Sequence, residues 1–397
     1  MEEYFLQFDP LSLGLLGLCA VLLFAQLCVI LIFHGRLAWF RSGSSGAKAG
    51  ADASTLGGSA EADSNLPPLS VIISTRNQEE QLRSNLEAVL TQKYPLFEVV
   101  VVNDRSEDDT KWLLRDLESI HPHLKVVEIA EHVLSRQGKK FGVAMGIKAA
   151  QYDHVVLTDV DCTPASDQWL YHMGAAFGGS TQIVLGYVPL QRRKGFLSTL
   201  IRFDHFYRSI NYLAAALGRR AYMALGQNMA YEKELFFQGK GFASHIHVQA
   251  GYDALFVNQH ATRRNTRIVI HRDAHVWKPM PATSEAFFLQ RRLQREATRL
   301  YLGRHKFRLN LQFLLNVFFY LALIGTAVWE PRLWPVLAGI YLFRLILQFI
   351  IYMLIGRRLR VTRMFWFWPI LDLIHTFHLG FRWYGRAKKS DGTLGSF

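Results

Sequence analysis

Cysteine is scarce in this chain: only Cys19, Cys28 and Cys162 occur among 397 residues, and no two of them stand at metal-ligand spacing. The first two fall inside an apolar run, and the third directly follows two aspartates. A secreted fold held together by disulfides and a cysteine zinc site are therefore both excluded.

Charge is scarce as well, at 19% of the residues, whereas 50% are hydrophobic. A disordered chain is excluded, because it would need many charges and few hydrophobic residues. The composition is too apolar for an ordinary soluble enzyme and too charged for a pure membrane bundle. We therefore expect membrane segments together with a water-facing domain, and the length allows two or three domains of about 100 to 200 residues each.

Acidic residues are fewer than basic ones. The chain has 32 Asp and Glu and 45 Lys and Arg, which gives a formal net charge of +13. Nucleic acid, anionic lipid headgroups and phosphate-bearing substrates all suit such an excess. Between 191 and 241 the basic residues alternate with aromatic ones at helical spacing. This pattern favours a helix on the membrane surface, with lipids as partners and no nucleic acid.

Residues 11–33 are apolar and carry no formal charge. At 1.5 Å per residue they make about 34 Å of helix, enough to cross a bilayer. Because Arg36 and Arg41 follow, we expect a transmembrane anchor over 1–41 whose C-terminal end is cytoplasmic. Residues 42–68 are rich in Gly, Ala and Ser and predict a flexible linker.

Two more apolar segments, 311–329 and 333–355, are separated by a short turn and have basic residues at both ends. They predict a transmembrane hairpin over 311–356 with both ends in the cytoplasm. Arg344 interrupts the second segment and needs a partner or an aqueous contact. Helix packing or snorkelling is favoured there over a role in substrate binding.

The C-terminal region, 357–397, contains an aromatic stretch at 365–384 with basic residues on both sides. Basic flanks on both sides favour an interfacial amphipathic helix and a basic tail over a further crossing.

Between 69 and 310, β-rich runs alternate with helical patterns. The predicted strands are 69–75, 97–104, 124–129, 154–161 and 182–189, and the predicted helices are 78–92, 108–120, 138–150 and 166–177. This alternation predicts an α/β fold with a mostly parallel sheet and helices on both faces. Ligands bind beyond the carboxyl ends of the strands in such sheets.

Polar residues follow three of these strands, at 74–77, 103–106 and 159–161. Asn, Asp and Ser also cap helices and form turns, so capping and a functional role are equally favoured for the first two groups. Asp159 and Asp161 end an apolar run and would repel each other unless a cation or a ligand hydroxyl engaged them. A metal or ligand role is therefore favoured over a turn.

Six short motifs stand in a specific order along the domain. They are Ser-Val-Ile-Ile-Ser-Thr-Arg-Asn at 70–77, Val-Val-Val-Asn-Asp-Arg-Ser at 100–106, Gly-Lys-Lys at 138–140, Asp-Val-Asp at 159–161, Gly-Gln-Asn-Met-Ala-Tyr at 226–231 and Gly-Tyr-Asp-Ala-Leu-Phe at 251–256. Their order and spacing resemble the family 2 glycosyltransferases. The flanking segments resemble the membrane-anchored branch that includes cellulose, hyaluronan and poly-N-acetylglucosamine synthases.

The resemblance, which covers about residues 69–310, implies a GT-A, Rossmann-like nucleotide-diphospho-sugar transferase domain with flanking transmembrane helices. It also implies inverting transfer from a UDP-sugar. The apolar segments and their basic flanks predict a multi-pass protein of the cell inner membrane whose catalytic domain is cytoplasmic. The acceptor would be lipid-linked or a glycan.

The resemblance also assigns roles to residues around the donor. Thr75, Arg76 and Asn77 would line the nucleotide pocket, and Asp104 would accept a hydrogen bond from the uracil ring. Asn228 would contact the substrate.

Near the diphosphate, Lys139 would supply positive charge, although a solvated lysine at a helix start is equally favoured. Asp159 would face the ribose or the sugar. Asp161 would bind Mg²⁺ or Mn²⁺ bridging the two phosphates, which neutralises charge on the leaving UDP.

By the same resemblance, Asp253 would be the base that takes the proton of the acceptor hydroxyl. Tyr252 replaces the acidic neighbour that is usual in this family's motif. From the residues alone, an aspartate at a helix N-terminus is the favoured interpretation of Asp253.

Processive synthases carry a Gln-x-x-Arg-Trp motif. Here Gln290 fits it, but Leu293 and Gln294 stand at the Arg and Trp positions. Arg291 or a neighbouring arginine would contact phosphate, and no aromatic residue follows to hold a sugar. We therefore expect transfer of one or a few sugars. The alternatives are a processive polysaccharide synthase and a non-catalytic nucleotide-sugar-binding membrane scaffold.

Four histidines of the domain, His245, His247, His271 and His275, are interpreted as packed or solvated residues and not as metal ligands.

Overall fold

The computed structural model describes residues 8–40, 66–129, 138–361, 364 and 367–379. The chain divides into two compact units. The helical unit comprises Met1–Phe40 and Leu302–Ala387, and the sheet unit comprises Arg41–Tyr301 and Lys388–Phe397. Most of the predicted linker and most of the predicted basic tail lie outside the described residues.

The strands of the sheet unit follow the predicted alternation with helices. They are β1 (Leu69–Thr75), β2 (Phe97–Asn103), β3 (Leu124–Glu128), β4 (His154–Leu157), β5 (Thr163–Pro164), β6 (Ile183–Gly186), β7 (Met229–Glu232), β8 (Thr266–Val269) and β9 (Val276–Trp277). Seven of them form one sheet in the order β3-β2-β1-β4-β7-β6-β8. The mostly parallel sheet is confirmed, with the exception that β7 runs antiparallel to β4 and β6. Strands β5 and β9 form a separate antiparallel pair.

Helices occur in both units. They are α1 (Pro10–Trp39), α2 (Glu79–Leu90), α3 (Thr110–Ile120), α4 (Lys139–Ala149), α5 (Trp169–Gly174), α6 (Phe196–Leu217), α7 (Lys233–Gln238), α8 (Tyr252–His260), α9 (Ser284–Thr298), α10 (Gly303–Trp329), α11 (Trp334–Arg358) and α12 (Trp368–Ile374). Helix α10 begins eight residues before the predicted start of the hairpin at 311, because its polar first turns continue the helix.

Strand β1 shows why this sequence forms a two-faced sheet. Val71 and Ile73 point to one face and join a buried core that includes Leu86 of α2 and Trp169 of α5. The intervening Ile72 is also buried, and it meets α4 on the opposite face. A strand apolar on both faces is typical of a parallel sheet covered by helices on both sides.

Two glycines let α4 approach the sheet closely. A Cβ at Gly142 would lie 2.1 Å from the hydroxyl oxygen of Ser74, and one at Gly146 would lie 2.4 Å from a methyl group of Ile72. Only glycine fits at such a contact. The close packing sets the first residue of α4, Lys139, near the carboxyl ends of the central strands.

In the helical unit, α1, α10 and the segment Pro331–Arg358 are long and apolar enough to cross a membrane. Their large apolar side chains face outward, as at Val21, Phe24 and Val328. Hydrophobic residues outside and polar residues inside are expected where the solvent is lipid.

Arg344 lies inside this unit, 1% exposed, in a group of polar side chains that we call the Arg344 cluster: Gln26, Tyr320, Arg344, Gln348 and Asp372. Its Nη1 atom lies 3.0 Å from Oδ2 of Asp372, and its Nε donates to Gln26. Tyr320 and Gln348 donate to the same carboxylate at 2.7 and 3.0 Å. The packing interpretation of Arg344 is therefore confirmed.

Part of the predicted interfacial helix lies within the described residues, in the segment that contains α12. Asp372 is buried in the Arg344 cluster, whereas Ile370 and Leu373 are exposed. An interfacial helix would turn its carboxylate to water and its apolar face to the lipid below. Here the carboxylate instead meets an arginine near the middle of α11, because a buried guanidinium needs a counter-charge.

Candidate active site

Strands β2, β1 and β4 are neighbours in the sheet and run in parallel, so their carboxyl ends share one edge. The three predicted polar groups follow these strands. Because β4 ends at Leu157 and not at 161, Asp159 and Asp161 stand on the loop beyond the sheet. The backbone turns there, and the N–H of Cys162 donates to the carbonyl of Asp159 at 3.0 Å.

Asp159 is the centre of the charged groups at this edge. It is 6% exposed, its Oδ1 binds the ammonium of Lys139, and its Oδ2 accepts a hydrogen bond of 2.8 Å from Gln227. The ammonium of Lys278 lies 3.8 Å from Oδ2. Burial alone would raise the pKa of Asp159, but the two lysines and Gln227 outweigh it and bring the pKa to about 2. The carboxylate is thus ionised at neutral pH.

Asp161 is partly exposed, and among the residues that the structure describes its carboxylate accepts only a 3.2 Å contact from the thiol of Cys162. Ligand atoms of Asp159, Asp161 and Cys162 lie within 4.8 Å of one another. Burial and the nearby carboxylates raise the pKa of the thiol well above its usual value, so the sulfur stays protonated and is a poor ligand. Asp161 therefore fits a divalent metal ion better than its two neighbours, since Asp159 is engaged by lysines.

Asp253 stands in the first turn of α8, after Gly251, whose φ of 79° suits glycine. Its Oδ2 accepts from the backbone N–H of Gly226 at 2.6 Å, and its Oδ1 from that of Ala254 at 2.7 Å. Burial raises the pKa of Asp253, and the charge of Asp159 adds to this. The helix-terminal position and a base role are therefore compatible: the backbone orients the carboxylate, and burial makes it more basic.

At the ends of β1 and β2, buried and exposed residues separate. The buried ones are Thr75, whose hydroxyl makes no hydrogen bond within the described residues, and Asp104, whose Oδ1 is bound by Arg105. Asn77 is exposed and connects the two loops, accepting from the N–H of Glu107. Arg76 is exposed. Thr75 and Asp104 thus lie buried at the carboxyl ends of neighbouring strands, while Asn77 acts at least in part as a turn residue.

The structure contradicts the predicted substrate contact of Asn228. This residue is 0% exposed, and its amide oxygen accepts from the indole N–H of Trp169 at 3.0 Å. Its amide nitrogen donates to the carbonyls of Tyr187 and Ala274, both at 2.9 Å. The hydrogen bonds of Asn228 thus connect buried segments of the domain. It is the preceding residue, Gln227, that contacts Asp159.

Gln227 and Lys278 are site residues that sequence reasoning missed. Gln227 could have been found, because it directly precedes Asn228 in the same motif. Lys278 lies more than 100 residues after Asp159 with no motif around it. Only the fold brings the two together.

Arg291, predicted to contact phosphate, is used inside the domain. Its guanidinium lies 2.8 Å from Asp204 of α6 and 3.3 Å from Gln294. Gln294, at the position of the missing tryptophan, also accepts from Arg208. Gln290 is exposed on the same helix. The arginine thus joins α9 to α6, and this engagement disfavours the predicted phosphate contact.

Helix α6 corresponds to the basic and aromatic stretch predicted to lie on a membrane surface. Phe203, Phe206 and Tyr212 are at most 1% exposed, and Tyr212 donates to the carbonyl of Gly186 in β6. The aromatic face of α6 is therefore packed inside the protein, and only its first residues, Phe196 and Leu197, are exposed. The membrane-surface prediction is wrong for most of this helix.

Histidines do not join the ligand atoms around Asp161 within the described residues. His271 instead forms a separate group with His172 and Asp273, whose ligand atoms also lie within 4.8 Å of one another. His275 is buried beside Tyr187.

The chain is similar to known proteins in sequence and in fold. Residues 67–298 match the family described as "Glycosyltransferase like family 2". The poly-beta-1,6-N-acetyl-D-glucosamine synthase of Staphylococcus epidermidis is 29% identical over 103 residues, covering 26% of this chain and 24% of that protein. Glycosyltransferase AglE of Haloferax volcanii is 31% identical over 125 residues, covering 31% of this chain and 40% of that one. This chain thus spans less than half the length of these relatives.

Among solved structures, a mannosyltransferase of Pyrobaculum calidifontis, in complex with GDP-Man and Mn²⁺, superposes with a TM-score of 0.51 at 18% identity. The likeness covers 91% of this chain and 98% of that one, and it shows a shared fold.

Proposed function

Because the chain belongs to the family 2 glycosyltransferases and is an enzyme of GT-A fold, we propose that it moves a sugar from a UDP-sugar to a lipid-linked or glycan acceptor at a membrane, with inversion. The observation that carries this proposal is the grouping of Asp159, Asp161 and Asp253 around two lysines beyond the carboxyl ends of the sheet. Such a site offers a base, a metal ligand and cations for a diphosphate.

On this proposal, the donor lies across the sheet edge. Thr75 and Asp104 line the nucleotide pocket together with Arg76 and Asn77, and the Asp104 carboxylate accepts from the base. Asp161 holds Mg²⁺ or Mn²⁺, which would neutralise charge on the diphosphate when bound. Lys139 keeps Asp159 ionised and oriented.

Asp253 is the proposed base. It removes the proton from the acceptor hydroxyl while the oxygen attacks the anomeric carbon, and the bond to the diphosphate breaks with its electron pair on the phosphate oxygen. The hydrogen bonds from Gly226 and Ala254 hold the carboxylate in one orientation for this transfer.

The three long apolar helices support a membrane-proximal acceptor. We further propose the inner membrane as location, with the catalytic domain in the cytoplasm.

A processive polysaccharide synthase is the second candidate, favoured by the relative named as a poly-beta-1,6-N-acetyl-D-glucosamine synthase. Against it, Gln294 stands where a sugar-stacking tryptophan is expected, and its side chain is engaged by Arg208 and Arg291. Product length separates the two candidates, because single transfer adds one or a few sugars whereas a synthase makes long chains.

The test of the proposal is nucleotide release by the detergent-solubilised protein with a panel of UDP-sugars and GDP-mannose, with and without Mn²⁺, and with membrane lipid extract as acceptor. Release with a UDP-sugar supports the proposed donor, and release only with GDP-mannose would replace it. Tight UDP binding with no release for any sugar or extract would favour the non-catalytic scaffold.

Asp161→Ala is expected to remove most of the gain in UDP affinity that Mn²⁺ gives, because the ion loses its available carboxylate. Titration calorimetry with UDP, in Mn²⁺ and in EDTA, measures this gain directly. Asp116→Ala is the matched control, since Asp116 is exposed on α3. An equal effect of Mn²⁺ on the wild type and on Asp161→Ala would remove Asp161 from the metal site.

A further inference from the structure

Lys278 is a cation of the site to which the family resemblance gave no role. It directly follows β9, and its backbone is fixed on both sides: its N–H donates to the carbonyl of Pro189 at 3.0 Å, and its carbonyl accepts from Gln191 at 2.8 Å. These bonds belong to a bridge between Leu190 and Lys278 beside the end of β6. The backbone of Lys278 is therefore held in place, and its side chain extends towards Asp159.

The ammonium of Lys278 is close to that carboxylate but not bonded to it. The distance of 3.8 Å to Oδ2 of Asp159 is an ion pair beyond hydrogen-bond length. Asp159 already receives Lys139 and Gln227. In the described part of the chain, Lys278 makes no side-chain hydrogen bond, although its side chain is only 17% exposed.

The side chain of Lys278 is only partly buried, so the N–H groups of its ammonium can donate to water or to a ligand that enters the site. The carboxylate of Asp159, 3.8 Å away, favours the charged form of this side chain. Three N–H donors of a fixed cation thus remain available at the edge where the donor diphosphate is proposed to lie.

We infer that Lys278 donates hydrogen bonds to the diphosphate of the bound nucleotide sugar. The inference rests on the proposed function and adds to it a donor-binding residue supplied from the far end of the domain. The ammonium of Lys139 donates to Asp159, whereas the N–H groups of the Lys278 ammonium make no hydrogen bond to a side chain or carbonyl of the described residues. Part of the diphosphate charge is then neutralised by the chain itself, independently of the metal.

The same contact acts during transfer. When the bond from the anomeric carbon to the phosphate oxygen breaks, its electron pair stays on that oxygen, the acceptor oxygen forms the new bond, and its proton goes to Asp253. The ammonium of Lys278 offsets the negative charge that the leaving diphosphate gains.

The experiment compares the wild type with Lys278→Met and Lys278→Arg by calorimetry with UDP and by competition with uridine, in EDTA and in Mn²⁺. Lys93→Met is the matched control, because Lys93 is exposed and paired with Asp167. Thermal unfolding of each variant checks that the domain folds. We expect Lys278→Met to weaken UDP binding in EDTA by about tenfold or more, the value of a charged hydrogen bond, with uridine affinity unchanged and Lys278→Arg close to the wild type.

Equal loss of UDP and uridine affinity in Lys278→Met would overturn the inference, because it would show that the lysine only positions Asp159. Unchanged UDP affinity in both conditions would also overturn it, while leaving the proposed function in place. A wild type that binds neither UDP nor GDP, with or without Mn²⁺, would overturn the proposed function and the inference with it.

Discussion

Asp253→Asn is expected to lower the rate of sugar transfer by about 10²- to 10⁴-fold, the usual contribution of a general base, and to leave UDP affinity unchanged. The amide cannot take a proton, and its oxygen can still accept from the N–H of Gly226, whereas the hydrogen bond from the N–H of Ala254 is lost. Nucleotide release with the preferred donor measures the rate, and calorimetry with UDP measures the affinity.

Asp116→Asn is the control for this variant, because it makes the same chemical change at an exposed site. If Asp253→Asn transferred sugar as fast as Asp116→Asn, Asp253 would not be the base.

The pH dependence follows from the same carboxylate. A base must be ionised, and burial raises the pKa of Asp253 above its ordinary 3.8. The rate should therefore fall on acidification at a higher pH than it would for an unperturbed aspartate.

The second large effect is expected in the helical unit. Asp372→Ala removes the counter-charge of Arg344 and leaves a buried guanidinium without its carboxylate. Breaking a buried ion pair in this way costs about 3–5 kcal/mol. The free energy of unfolding in detergent should fall by that amount, whereas Leu373→Ala, on the exposed side of the same helix, should have little effect.

A double variant separates the pair from the helix packing. Arg344→Met combined with Asp372→Leu removes both charges and replaces them with apolar groups of similar size. Its stability should recover part of that loss, because neither charge is then left buried, although Gln26, Tyr320 and Gln348 lose hydrogen-bond partners. If the double variant were as unstable as Asp372→Ala, loss of packing and not of the ion pair would be the cause.

The burial of Asp372 also indicates where the segment 367–379 lies. Its carboxylate is buried in the Arg344 cluster, near the middle of a helix long enough to span a bilayer. We propose that this segment is embedded among the apolar helices and does not lie on the membrane surface. The prediction from basic flanks relied on residues beyond 379, which lie outside the described part of the chain.

Much of the fold was predictable because residues close together in the sequence determine most of its strands and helices. The strand β1 was predicted with its observed bounds, and β2 and β3 to within one residue, since short apolar β-rich runs bounded by turn residues have few alternatives. Strand β7 was not predicted, and its antiparallel direction depends on the partners β4 and β6. A sheet partner distant in sequence leaves no local pattern.

Residue roles were less predictable than elements. Asn228, Arg291 and the aromatic side of α6 all carry groups that suit a ligand or a membrane. In the fold they meet the core, Asp204 and the strand β6 instead. A polar or aromatic side chain can contact another part of the protein as well as a ligand or a membrane. The sequence does not distinguish the two cases, because the residue type is the same in both.

The sequence by itself determined the class of fold, the family and the three apolar helices, because periodicity, motif order and run length are properties of neighbouring residues. The tertiary structure decided which charges meet. It placed Lys278 beside Asp159 and Asp372 beside Arg344. The strength of an electrostatic interaction depends on distance in space and on burial, and the number of residues between two charges determines neither.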